Sequence, residues 1–599
     1  MNCSTRRKTV QCLALALATI SAACSGAASA QSLEEKQKNP DQWVLPGKDY
    51  ALTRYSELDE INTQTVRNLK VAWTFSTGTL RGHEGAPLVV DNTMYFVTPF
   101  PNIVYALDLT KEGAPIKWKY VPENDPRSIG VACCDVVNRG VAYADGKIFF
   151  NTLDAKTVAL DANTGRVIWQ VKQGEVTKGE TITAAPLVIK DKVISGISGG
   201  EFGVRGFVTA NDINTGQQIW RVYSTGPDSE VGIGPNFKPF YEDHKGKDLG
   251  VTTWNGDQWR LGGGTTWGWY SYDPELDLFY YGTGNPGTWN PDQRPGDNKW
   301  SMTIWARDPD TGEARWAYQM TPHDAWDYDG VNENILVDLE INGRMRKALV
   351  HFDRNGFAYT LDRATGEVIL AEPYGPVNWA TGIDLKTGRP IEVPEKRTKE
   401  GENTTNICPS AMGFKDQQPA AFSPKTRLFY SPMNNLCMDC EGVEVGYTAG
   451  VPYVGAIVKT YAGPGGHRGA FFAWDAATGR KVWEIKEEFS VWGGALVTAG
   501  DVVFYGTMDG WFKALNAQTG EELWKFKVGS GIIGAPMTYR GPDGKQYVAV
   551  LSGIGGWSGL TVSGDLSLDD PTAALGAVNA FQDLGQHTAK GGMLYVFSL

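Results

Sequence analysis

One repeat restricts the fold more than any other feature: a small residue, any residue, Asp or Asn, three residues, Gly, three residues and Trp. Full copies run from Ala159-Leu160-Asp161 to Trp169, Ala210-Asn211-Asp212 to Trp220, Ala306-Arg307-Asp308 to Trp316, Ala473-Trp474-Asp475 to Trp483 and Ala514-Leu515-Asn516 to Trp524. Two are imperfect: Ala106-Leu107-Asp108 to Trp118 carries two extra residues, and Thr360-Leu361-Asp362 ends at Leu370. Each copy reads as strand, turn, strand, with Asp or Asn opening the turn, Gly taking a positive φ and Trp on the returning strand. A hairpin cannot bury such an indole alone, whereas four-stranded sheets stacked around an axis can. An eighth unit can be assembled from the two ends, Leu69-Lys70-Val71-Ala72-Trp73 with Met593-Leu594-Tyr595-Val596-Phe597. The sequence therefore predicts an all-β, eight-bladed β-propeller with tryptophan-docking repeats, its ring closed by N- and C-terminal strands, as a single domain over 31–599. The intervals Asp212 to Asp308 and Asp362 to Asp475 are longer than the rest and are expected to form loops at one end, where functional residues collect.

Residues 1–30 read as a cleavable export signal: Arg6, Arg7 and Lys8, an apolar stretch from Cys12 to Ile20, and Ala28-Ser29-Ala30 before Gln31. The apolar run falls short of the roughly 20 residues that span a bilayer. A periplasmic chain cleaved after Ala30, with no transmembrane segment left, is expected. Losing the three positive charges of the leader takes the formal charge from −12 to −15, which makes nucleic acid an improbable partner. The same acidity suits steering of a basic electron carrier, and equally suits simple solubility. Five cysteines remain after cleavage: Cys133, Cys134, Cys408, Cys437 and Cys440. Export makes disulfides the default. The odd count leaves one over, and the spacing of Cys437 and Cys440 leaves its identity open. No His follows Cys440, so there is no c-type haem site, and the six dispersed His argue against zinc.

Chemistry concentrates in Thr321-Pro322-His323-Asp324-Ala325-Trp326-Asp327-Tyr328-Asp329-Gly330. Alternation in an extended segment would send Asp327 and Asp329 to the same side. Two carboxylates that close repel unless a cation lies between them, and oxygen ligands specify a hard one. Aspartates that merely cap turns would read the same way. Two tight glycine-rich loops add candidates, Glu201 in Gly199-Gly200-Glu201-Phe202-Gly203 and Asn285 in Gly284-Asn285-Pro286. Glu201, Asn285, Asp327 and Asp329 would supply three carboxylates and an amide oxygen, a charge of −3 that favours a trivalent ion over calcium. The adjacent Cys133 and Cys134, if bonded to each other, would make a flat, rigid, apolar face.

Taken together, these segments resemble the large subunit of pyrroloquinoline quinone methanol dehydrogenases, over nearly the whole mature chain. An Asp at 329 marks the lanthanide-dependent branch of that quinoprotein alcohol dehydrogenase family. The resemblance implies Glu201, Asn285, Asp327 and Asp329 as metal ligands and Asp327 as general base. It implies a quinone between the Cys133–Cys134 ring and Trp267, held by Glu84, Arg139, Thr183, Ser198, Gly199, Gly200, Thr265, Arg354 and Asp416 and completed by Trp492 and Gly493. It further implies a Cys408–Cys437 disulfide, a substrate pocket walled by Trp289 and Trp557, a soluble cytochrome c as electron acceptor and a homodimer. Cys440 and Glu441-Gly442-Val443-Glu444 depart from the family pattern. The expected activity is oxidation of methanol, and of other small primary alcohols, to the aldehyde. A calcium-dependent or broad-specificity alcohol dehydrogenase is the rival enzyme. A non-catalytic propeller scaffold is the rival of another class, and it leaves the carboxylates and the cysteine pair without a role.

Overall fold

The computed structural model describes residues 32–599, so the expected export signal and cleavage after Ala30 lie outside the described residues. The chain is all-β in character. Antiparallel four-stranded sheets follow one another within Leu88–Tyr120, Ala142–Lys172, Leu187–Tyr223, Ser271–Gln319, Ile335–Pro373 and Ala421–Glu487. The sheet of Leu496–Lys527 gains Tyr55–Ser56 as a parallel fifth strand. The last sheet is composite: Met537–Arg540, Gln546–Ser552 and Met593–Ser598 are completed by Lys70–Ser76, which pairs antiparallel with the chain end from Lys70↔Ser598 to Ser76↔Met593. Among the described residues, no helix is long and apolar enough to cross a membrane.

The repeat works as a joint between neighbouring sheets. The indole N–H groups of Trp118, Trp169, Trp220, Trp316 and Trp483 donate to the carbonyls of Ala162, Ile213, Pro309, Arg363 and Ala517 at 3.0–3.2 Å. Each acceptor is the residue just after the Asp or Asn of the next repeat. The turn glycine of that repeat lies against the ring, and a Cβ on Gly165, Gly216, Gly312, Gly366 or Gly520 would stand only 2.6–2.8 Å from indole carbons. These glycines also take positive φ, so one residue type meets both demands. An indole thereby buries its large apolar face while its one polar atom stays satisfied.

The irregular copies are instructive. Leu370 has no N–H to offer, and there the hydroxyl of Thr360, its cross-strand partner, donates to Ala476 O at 2.9 Å. The stem of Glu372 covers Gly479 in place of the ring. Trp524 matches the repeat but has no turn to dock on, because the neighbouring composite sheet joins its outer strands through chain ends. Its ring packs edge-on against Phe597 at 5.3 Å instead.

Excursions from this frame build one end of the molecule. As expected, the interval after Asp362 carries two small sheets, Ala380–Asp384 with Arg389–Glu392, and Asn403–Ile407 with Leu436–Gly442 and Ala456–Ala462. A third excursion, residues 553–592, was not apparent from repeat spacing, since it falls inside the composite sheet. It holds the helix Gly556–Ser563. Removing one joint tests the architecture: Trp316→Ala takes out an indole that is 1 % exposed and is expected to cost about 3–5 kcal/mol in denaturant unfolding. A loss under about 1 kcal/mol would contradict the joint.

Candidate active site

In an antiparallel sheet the start of the first strand and the end of the second lie at the same edge, and that edge carries the chemistry. Glu84, Cys133 to Arg139, Thr183, Thr265 to Trp267, Asp327 to Asp329, Asp416 and Trp492 stand in loops entering first strands. Ser198 to Glu201, Asn285 and Arg354 stand in loops leaving second strands. Residues hundreds of positions apart therefore meet in one cavity.

Its walls include Glu84, Cys133, Cys134, Arg139, Thr183, Ser198, Gly199, Glu201, Trp267, Trp289, Asp327, Asp329, Arg354, Asp416, Trp492 and Trp557, all anticipated from sequence. Asn285, Gly200 and Thr265 sit directly behind this wall. The backbone N–H of Asn285 donates to Asp329 Oδ1. A Cβ on Gly200 would come within 2.8 Å of Asn285 Oδ1 and 3.5 Å of Thr265 Oγ1. Gly493 is set apart, packed near the carbonyls of Gly506, Ile532 and Gly534 rather than on the cavity wall. Cys133 and Cys134 are bonded to each other, as are Cys408 and Cys437, and among the described residues Cys440 is the free, buried thiol.

Arg354 organises the charges. Its Nη1 donates to Asp327 Oδ2 at 3.1 Å, and its Nη2 lies 3.1 Å from Asp416 Oδ1 and 3.5 Å from Asp329 Oδ2. Burial works against its charge, yet Asp416, Asp329 and Asp327 together hold the guanidinium well above its usual range. Arg139 pairs with Glu84 at 3.0 Å and lies with Arg354 over the ring of Trp267, at 4.9 and 5.5 Å. Two arginines do not balance the six acids of the wall, Glu84, Asp135, Glu201, Asp327, Asp329 and Asp416. Burial, then repulsion from Asp329, drives Asp327 far above the carboxylate range despite Arg354. Burial raises Asp329 to about 7 against the pull of Arg354, with Glu201 and Asp416 adding to it. Burial also raises Glu84 to about 7, against Arg139 and the Trp492 N–H, and raises Glu201.

The expected alternation is not what brings Asp327 and Asp329 together. Asp327 takes φ +66°, so the segment is a turn and not a strand. Asp324 holds that turn, its carboxylate accepting the N–H groups of Trp326, Asp327 and Tyr328 at 3.3, 2.9 and 3.2 Å. Sequence reading missed Asp324, although an Asp three residues before a candidate base is a recognisable turn signal. It also missed Asp135 and Gln417 in the wall. Asp135 directly follows the cysteine pair, the one hint available.

Oxygen atoms without donors decide what the site can hold. Asn285 Oδ1, Asp327 Oδ1 and Thr265 Oγ1 are buried with no hydrogen-bond partner, a costly state for polar atoms unless something positive meets them. Three carboxylates and an amide oxygen suit a hard cation. The cavity between Trp267 and the disulfide ring, with Arg139, Thr183 and Ser198 at its edge, suits a flat polar ligand.

The model of the PQQ glucose/ethanol/alcohol dehydrogenase β-propeller domain matches residues 43–378 and 486–548. The chain belongs to this family. A lanthanide-dependent methanol dehydrogenase of Methylacidiphilum fumariolicum is 62 % identical over 94 % of this chain and 93 % of its own. Methanol dehydrogenase (cytochrome c) subunit 1 of Methylorubrum extorquens is 50 % identical over 98 % and 95 %. A solved europium-containing methanol dehydrogenase superposes with a TM-score of 0.93 at 61 % identity, covering 94 % of this chain and 99 % of that one. The family's alcohol dehydrogenase chemistry thus meets a cavity whose acids exceed its bases.

This excess charge has a pH signature in the cation-free protein. Glu84 and Asp329, near 7 when folded and near 4 when unfolded, bind more protons folded than unfolded across that window. Their contribution therefore falls as pH rises from about 4.5 to 7 and is level above it. Asp329→Asn is expected to flatten the corresponding fall in Tm relative to the parent chain. A fall of unchanged size in the variant would show that the surroundings of Asp329 do not raise its titration.

Proposed function

We propose that this chain oxidises methanol, and other small primary alcohols, to the aldehyde, using pyrroloquinoline quinone and a trivalent lanthanide ion and passing electrons to a cytochrome c. The observation that carries the reading is the placing of Glu201, Asn285, Asp327 and Asp329 around one cavity with too little positive charge there to balance them. The 62 % identical lanthanide-dependent relative supports it independently. Glu201, Asn285, Asp327 and Asp329 would hold the ion. Trp267, the Cys133–Cys134 ring, Glu84, Arg139, Thr183, Ser198, Gly199, Gly200, Thr265, Arg354, Asp416, Trp492 and Gly493 would hold the quinone, Gly493 only through the loop that presents Trp492.

Bound there, the quinone with its cation supplies the electrophile that accepts the alcohol's hydride. Asp327 takes the hydroxyl proton through Oδ1, the oxygen without a partner, while Arg354 fixes the other oxygen at 3.1 Å. A base must be ionised, and burial with Asp329 alongside disfavours that in Asp327; base action therefore depends on positive charge beyond Arg354. Trp289 and Trp557, 6.3 Å apart, narrow the approach to small alcohols and shed water around the reacting carbon.

The same reading extends to the whole molecule. The four-stranded sheets are the blades of an eight-bladed propeller occupying 31–599 as one domain, closed where Lys70–Ser76 joins the C-terminal strand. Residues 1–30 export the chain to the periplasm and are removed after Ala30. The acidic mature surface suits a basic redox partner, in keeping with the cytochrome c named in the Methylorubrum relative, and two copies associate as a homodimer.

Protein reconstituted with pyrroloquinoline quinone and a light lanthanide is expected to show dye-linked methanol oxidation. Asp327→Asn should lower kcat by about 10²–10⁴-fold. Asp329→Ala should abolish the lanthanide requirement and leave at most calcium-supported turnover. No turnover of any alcohol from methanol to butanol with either metal would overturn the assignment, and preference of the parent enzyme for calcium would return it to the calcium-dependent reading.

A further inference from the structure

Asp135 is unassigned by anything above, yet its carboxyl is fully buried in the cavity wall. It follows the Cys133–Cys134 ring directly, at φ +99°. Oδ1 accepts the N–H of Val136 at 2.7 Å. Oδ2 reaches across more than 400 residues to the helix Gly556–Ser563, accepting the N–H of Gly556 at 2.9 Å and the hydroxyl of Ser563 at 3.2 Å. Arg81 braces the same helix end, donating to Ser563 O at 2.8 Å and standing 3.9 Å from Asp135 Oδ1.

What this helix carries is Trp557. Its ring lies 6.3 Å from Trp289 and 5.5 Å from the Arg354 guanidinium. Both partners of Asp135 Oδ2 belong to this one short helix and bracket Trp557 in sequence. The backbone leading into the helix is pressed home: a Cβ on Gly555 would come within 2.4 Å of Gly82 Cα and 2.5 Å of Asp135 Oδ2, and one on Gly556 within 2.7 Å of Glu84 Oε1. Little side-chain bulk separates the helix from the disulfide ring's own segment, so one carboxylate fixes how far apart ring and indole stand.

We propose that Asp135 is a specificity-determining residue: by tying the disulfide segment to the Trp557 helix it sets the width of the substrate entrance. It touches neither substrate nor cofactor and acts through Trp557. This rests on the alcohol dehydrogenase reading of the site. A fixed separation rejects alcohols with longer chains, because discrimination by an apolar pocket depends on its walls not yielding to an extra methylene. Freed of Asp135, the helix keeps the Arg81 contact at its far end and can swing its Gly556 end outward.

The test uses holoenzyme loaded with pyrroloquinoline quinone and europium, comparing parent with Asp135→Ala and Asp135→Gly. The glycine variant accepts the positive φ without strain and serves where alanine hinders folding. In either variant kcat/KM for butanol relative to methanol is expected to rise at least tenfold, carried by KM for the longer alcohol. Amide hydrogen exchange over Gly556–Ser563 should quicken by a similar factor, with exchange in the sheet Leu187–Tyr223 unchanged. Ser563→Ala, which removes one of the two ties, should move both readouts in the same direction by less. A butanol-to-methanol ratio within twofold of the parent, or unaltered exchange in the helix, would overturn the proposal. A parent enzyme inactive on every alcohol would instead count against the reading of the site, while helix exchange still reports on the tie itself.

Discussion

The joint between an indole and the next turn governs this molecule. Each such contact satisfies three separate demands in a small space: burial of a large ring, a partner for its N–H, and a turn whose glycine leaves room for the ring. Because three successive sheets, Ala142–Lys172, Leu187–Tyr223 and Ser271–Gln319, each host one indole and donate another, the repeated joint fixes the spacing of neighbouring sheets as well as their attachment. The sheets then share one edge, and the loops on it are held at distances that no single hairpin could impose. Where the pattern lapses at Leu370, Thr360 and Glu372 divide the indole's work between them, one supplying the hydrogen bond and the other the cover. The geometry of the joint is kept although its residues are not.

A frame this stiff can sustain an unfavourable centre. Six carboxyls walling one cavity with two arginines would scatter a softer structure, since each uncompensated buried charge costs far more than a surface ion pair returns. Here Asp324, Asn285 and Arg354 restrain the acids by backbone and side-chain hydrogen bonds, so the repulsion is expressed in displaced pKa values and unpartnered oxygens and not in movement. The site is built to need what it binds. Affinity for a highly charged ion then derives from the relief of that repulsion as much as from the ligand atoms themselves.

Much of this was legible in the residues, and the limits have physical causes. The repeat announced the strands and the joints because turn chemistry and indole spacing are local. Asp329 announced an excess of negative charge because counting charges needs no coordinates. The disulfide between Cys133 and Cys134 was readable as a possibility from adjacency alone, whereas Cys408 with Cys437 needed a resemblance, since two partners were open to Cys408. The positive-φ turn at Asp327 was missed: alternation presumes an extended chain, and only the Asp324 hydrogen bonds show that it is bent. Asp135 was invisible because its partners lie at the other end of the sequence. So was the third excursion, concealed by a sheet whose strands are split between the two ends.

That split sheet bears on how the chain comes to exist at all. Lys70–Ser76 emerges early, but the strand it pairs with, Met593–Ser598, follows only hundreds of residues later. Until that partner is made the early strand has no neighbour, and long-range pairing of this kind is slow because so much chain must be brought back before it is rewarded. A copy interrupted before Met593 would keep that edge unpaired and adhesive to other chains. Pairing with Met593–Ser598 thus acts as a late checkpoint on a strand made far earlier.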